Sequence, residues 1–192
     1  MKRAENLKQF CNYVIRYVGA GYKYYKIASI PSKKAHRKHE ISLKVENYYQ
    51  TNLTHGKRQY KRKCGKANYV AVMYLNFVVV LHTEGENIDQ VGEFREIDPN
   101  KGLTLAISEH TEFILFKDNR NTWTYRLSNE FYKSFRGRVE TAIKNRKGRE
   151  YHNIRGLWRG LPIYKGIGQQ KRLLNQEIKA LFKKHKVRWE LF

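Results

Sequence analysis

The chain has 192 residues, 41% of them hydrophobic, which suffices for a real core and argues against wholesale disorder. It carries 39 Lys and Arg against 17 Asp and Glu, a formal net charge of +22. A compact chain with that imbalance repels itself, so a polyanionic partner is expected, with nucleic acid (RNA or DNA) leading. The length favours a single domain over residues 1–192, with a helical basic part from about residue 128.

In residues 5–18, Leu7, Phe10, Cys11, Val14, Ile15 and Val18 recur at helical spacing, and Gly19-Ala20-Gly21 ends that helix. Residues 21–30 are aromatic and β-branched enough for a strand, closed by Pro31-Ser32. Residues 34–49 read as a second helix with Ile41, Val45 and Tyr48 on one face. Two strands, 68–74 and 77–82, meet at Leu75-Asn76. Further strands are expected at 93–97, 103–108, 112–117 and 122–127, with Asp, Asn, Pro and Gly turns between them. Short connections imply antiparallel neighbours. Ser128 or Asn129 caps a helix that aligns Phe131, Phe135, Val139 and Ala142. A glycine-broken basic stretch covers 148–160, and a last helix runs from about 169 to 184. The expected class is α+β, with a central antiparallel sheet flanked by N- and C-terminal helices.

Cys11 and Cys64 lack CxxC spacing, so neither a cysteine zinc site nor a disulfide framework is indicated. The opening MKRAENLKQF has no apolar signal core, and the longest apolar stretch, residues 69–81, is too short to span a bilayer. These features lead to the expectation of a soluble, cytoplasmic protein without membrane partners.

The charge is blocked along the chain. Residues 33–66 hold 11 basic and 2 acidic side chains, and residues 133–172 hold 12 and 2. Between residues 84 and 118 the sign reverses, with 9 acidic and 3 basic. The densest run offers Lys57, Arg58, Tyr60, Lys61, Arg62, Lys63 and Lys66 to phosphates, or else forms a solvated loop. The second region adds Arg136, Arg146, Lys147, Arg149, Arg155 and Arg159, with Trp158 between the last two as a stacking platform or a structural residue.

Lys165-Gly166-Ile167-Gly168, followed by Lys171 and Arg172, fails as a dinucleotide loop because Lys171 stands where a third glycine belongs. It resembles the hairpin of a helix-hairpin-helix element, in which a Gly-apolar-Gly turn aims amides at a phosphate. That resemblance implies sequence-independent contact with a DNA backbone. The departure is Tyr164-Lys165 where proline usually precedes the turn.

For catalysis the pattern offers less. His36 and His39 share a helical face without a third ligand. Glu93, Glu96 and Asp98 could hold Mg²⁺ or form a solvated acidic edge. No cofactor is expected. The leading reading is a non-catalytic nucleic-acid-binding protein, such as a ribonucleoprotein component or an accessory of a replication or mobile-element machine. The alternatives are a phosphodiester-processing enzyme, which could use Tyr132 or Tyr151 as nucleophile, and a structural subunit that binds acidic proteins.

Overall fold

The structure, a computed structural model, describes residues 1–86, 94–108 and 111–188. The class is α+β, but the strands form two sheets rather than one central sheet. Contacts divide the chain into two compact units, Met1–Lys101 and Gly102–Phe192.

The first unit runs β1 (Lys2–Arg3), α1 (Leu7–Gly19), β2 (Tyr22–Ser29), a 3₁₀ helix (Ser32–Arg37), α2 (Lys38–Tyr49), α3 (His55–Lys63), β3 (Tyr69–Tyr74), β4 (Phe77–Thr83) and β5 (Arg95–Glu96). The sheet order is β1-β3-β4-β2-β5, with β1 parallel to β3 and the other pairs antiparallel. Strands β3 and β4 are apolar at nearly every position because both of their faces are covered. On one face, Phe10 of α1 meets Tyr74 and Phe77, with ring centroids 6.0 and 5.9 Å away. On the other, Tyr69, Ala71, Met73, Val78 and Val80 pack with Ile30, Ile41, Val45 and Tyr49. The first expected helix, the first strand and the central hairpin thus lie where the sequence puts them. The second expected helix begins as a 3₁₀ turn before α2.

The second unit runs β6 (Leu103–Ser108), β7 (Thr111–Lys117), β8 (Trp123–Leu127), α4 (Asn129–Lys144), α5 (Gly148–Gly160) and α6 (Lys165–Lys184). Its antiparallel sheet, β6-β7-β8, buries one face more deeply than the other. Leu103, Leu105, Phe113, Leu115, Tyr125 and Leu127 alternate along the strands, each fully buried. Ser128 caps α4, accepting the Phe131 amide at 3.1 Å.

Helix α6 is laid tightly on β8. The Gln170 side chain imitates a neighbouring strand: its Oε1 accepts the Leu127 amide at 2.8 Å, and its Nε2 donates to the Leu127 carbonyl at 3.1 Å. Gly166 permits the approach, since a Cβ there would stand 2.5 Å from the Tyr125 carbonyl oxygen. The Gly-Ile-Gly sequence therefore lies inside the first turns of a helix, with Ile167 fully buried, and is not the hairpin that the helix-hairpin-helix resemblance implied.

Gly166→Ala is accordingly expected to destabilise the protein by roughly 1–3 kcal/mol through overpacking against rigid backbone. Gly168→Ala, which meets nothing within 4 Å, should be neutral or mildly stabilising. Urea unfolding of the two variants checks this, and equal stability would contradict the close helix–strand contact.

Candidate nucleic-acid interface

Residues 57–66 do not form the loop that their polarity suggested. They build α3, whose nine residues His55–Lys63 include five cations and no acid. Thr54 caps its start, and Gly65, at φ 69°, ends it. The Gly65 amide donates to Arg62 and the Lys66 amide to Lys61, a Schellman closure that glycine adopts without strain. Lys61, Arg62 and Lys63 lie in the last turn, where the helix dipole favours positive charge.

The side chains of α3 divide by role. Arg58 is half-buried and turns inward. Its Nε donates to the Leu53 carbonyl at 3.1 Å and its Nη2 to the Thr51 carbonyl at 2.6 Å. Its Nη1 donates to the Tyr69 carbonyl at 2.8 Å and the Tyr22 hydroxyl at 3.3 Å. Arg58 therefore staples α3 to β2, β3 and the preceding loop, which corrects its assignment as a free phosphate contact. Lys57, Arg62, Lys63 and Lys66 are exposed. Lys61 is half-buried, and desolvation, helped by repulsion from Lys66 and Arg58, pushes its ammonium pKa down.

Tyr60 is 69% exposed. Of the fourteen tyrosines, only Tyr48 and Tyr60 are exposed, and the rest are buried or half-buried. Lys57, Tyr60 and Lys61 fall at i, i+3 and i+4 and line one shallow surface cavity of about 430 Å³ with Gln50 and Leu53. An exposed ring between two ammonium groups can stack a base while they meet the flanking phosphates.

Elsewhere in this unit, some cations are taken up by carboxylates. Arg37 grips Glu40 with two bonds of 2.8 Å, and Lys44 joins at 2.9 Å. Those bonds, Arg37's first, hold the Glu40 carboxyl down at about 2.

In the second unit, several expected contacts have internal duties. Arg136 bonds Glu177 at 2.7 Å and Glu140 at 3.6 Å, joining α4 to α6. Lys165 pairs with Asp118 in the β7–β8 turn, and this pairing, with the Thr122 and Arg120 amides, holds the Asp118 carboxyl at about 2. Lys171 donates to the Arg159 and Leu161 carbonyls at 3.1 and 2.9 Å, closing the end of α5, and burial lowers its pKa. Arg155 lies over Tyr151 and bonds its hydroxyl at 3.2 Å. Trp158 is only 4% exposed, with its ring 4.9 Å from Phe135, so it belongs to the core and offers no stacking platform.

The stretch 148–160 is helix α5, unbroken by its glycines. Near its start Arg146, Lys147 and Arg149 are exposed, and Lys147 reaches Glu150 at 3.6 Å. Arg146, Arg149, Arg159 and Arg172 have no carboxylate partner among the described residues.

Of the acidic trio, Glu93 lies outside the described residues. Glu96 is exposed on β5, and Asp98 accepts the Asn100 and Lys101 amides at 2.8 and 3.2 Å, shaping a turn. No group of three metal-binding side chains occurs among the described residues, and none of their helices is long and apolar enough to cross a membrane. No protein family, curated protein or solved structure matches the chain.

Arg58→Ala is expected to destabilise by roughly 2–4 kcal/mol, because four hydrogen bonds vanish and their acceptors lose a partner. Lys57→Ala or Lys63→Ala should change stability by less than about 0.5 kcal/mol, as exposed charges do. Chemical denaturation separates these cases, and an Arg58→Ala protein as stable as the parent would refute the staple.

Proposed function

We propose that this protein binds the phosphate backbone of single-stranded or structured nucleic acid without sequence readout and without catalysis. The observation that carries this reading is α3, an ordered helix with four cations beyond its internal arginine, no acid, and an exposed Tyr60 between Lys57 and Lys61. The charge is fixed on a helix, so binding does not require ordering a loose segment first. The exposed arginines around the α4–α5 junction, with Arg159 and Arg172, supply a second basic surface on the other unit. Both would bind by counterion release, which is insensitive to sequence.

The test is affinity for a mixed-sequence single-stranded oligonucleotide across a salt series. The log–log slope should fall near −0.7 for each phosphate contacted. Replacing Lys57, Lys61, Arg62 and Lys63 by Gln, while keeping Arg58, should make the slope shallower by up to about 3 and weaken binding at least about tenfold at low salt. Tyr60→Ala should weaken binding by about 1–3 kcal/mol with no change in slope. A salt-independent affinity, or an unchanged slope in the folded quadruple variant, would remove this reading.

A further inference from the structure

Beneath α3 the first unit contains a second, more polar cavity of about 450 Å³, within the size range of small-ligand sites. Tyr17 of α1, Tyr22 of β2, Thr51 before α3 and Arg58 of α3 all line it. Three features of this wall are unusual. Arg58 has five N–H donors and four acceptors, leaving one donor over. Those acceptors are three carbonyls and a hydroxyl, so the guanidinium is solvated by neutral groups while its charge stays uncompensated. The wall's acid, Glu46, is engaged by the Met1 ammonium, and Lys2 adds another cation. Finally, Thr51 is 6% exposed and its buried Oγ1 has no hydrogen-bond partner, a loss that buried hydroxyls rarely tolerate.

We propose that this cavity receives a phosphate monoester, either the terminal phosphate of a nucleic acid or that of a free nucleotide. The inference rests on the nucleic-acid reading above and names an end group for it. The remaining Arg58 N–H and the hydroxyls of Tyr17, Tyr22 and Thr51 make four donors, and a monoester dianion presents three non-ester oxygens to accept them. The Tyr22 hydroxyl already accepts from Arg58, which leaves its own proton to donate outward. Burial raises the Tyr17 pKa despite the nearby Arg58, so that hydroxyl stays protonated. A cavity walled by α1, β2, β3 and the α2–α3 connection suits a chain end better than a continuing strand, which needs an exit on both sides. The Tyr17–Tyr22 ring pair, 5.5 Å between centroids, gives the attached nucleoside an aromatic wall.

The experiment compares one oligonucleotide carrying a 5′-phosphate, a 3′-phosphate or hydroxyls at both ends, measured by anisotropy at fixed ionic strength. Nucleoside 5′- and 3′-monophosphates alone are titrated by calorimetry. One phosphorylated end should bind at least about tenfold tighter than the hydroxyl-ended strand, the effect of charge-assisted hydrogen bonds. Tyr17→Phe and Thr51→Val change no charge, so each should cut that preference to within about threefold without altering hydroxyl-ended binding. Circular dichroism confirms folding, and either variant suffices if the other unfolds. Preference in the oligonucleotides assigns the site to chain ends, and monophosphate binding without it assigns the site to free nucleotides. No discrimination and no monophosphate binding would overturn the proposal, as would a preference that survives in both folded variants. Hydroxyl-ended binding persisting in either case leaves the wider nucleic-acid reading intact.

Discussion

A chain with 39 basic and 17 acidic side chains cannot neutralise itself by pairing, and this shortage of carboxylates shapes how each cation is used. The acids present are shared. Glu40 serves Arg37 and Lys44, while Glu140 serves Arg136, Lys184 and His185. Most of these pairs are solvent-exposed and contribute little to stability individually. What they do is position charge. Lys165 with Asp118 joins the β7–β8 turn to α6, and Arg136 with Glu177 joins α4 to α6.

Where no carboxylate is at hand, some cations bind backbone instead. Arg58 gathers the carbonyls of Thr51, Leu53 and Tyr69, and Lys171 gathers those of Arg159 and Leu161. Carbonyls left at loop and helix ends need donors, and a cation supplies strong ones. This solution satisfies hydrogen bonding but leaves the positive charge uncompensated. The stabilising device of α3 and the polarity of the cavity below it therefore have one source. Other cations stay exposed, among them Lys57 and Lys63 on α3 in the first unit and Arg146 and Arg149 around the start of α5 in the second, and these carry the proposed affinity for phosphate.

Periodicity made much of the secondary structure legible. The α1 stripe, the β3–β4 hairpin, the alternation of β6 to β8 and the Ser128 cap all follow from local pattern, because burial of one face or two leaves a periodic mark. Two basic helices were harder to read. Helix α3 buries no residue fully, and α5 carries three glycines inside a charged stretch, so composition alone suggested loops. Their caps were readable in principle: Thr54 before α3 and Gly65 after it stand at the positions that start and stop signals occupy.

Residue type and spacing sufficed for the class of the protein, the positions of most of its strands and the excess of positive charge, but not for the short β1. Which basic residues are available depends on the fold. Arg58, Lys171 and Lys57 are indistinguishable as letters in a charged run, yet the first two are held by carbonyls 11 and 10 residues away and the third faces solvent. Trp158 and Tyr60 each sit among arginines or lysines, yet one ring is enclosed by Phe135 and the other is open. The reason is physical: pattern reports how a residue compares with its neighbours along the chain, whereas the partner that occupies a donor or covers a ring is brought in by the fold.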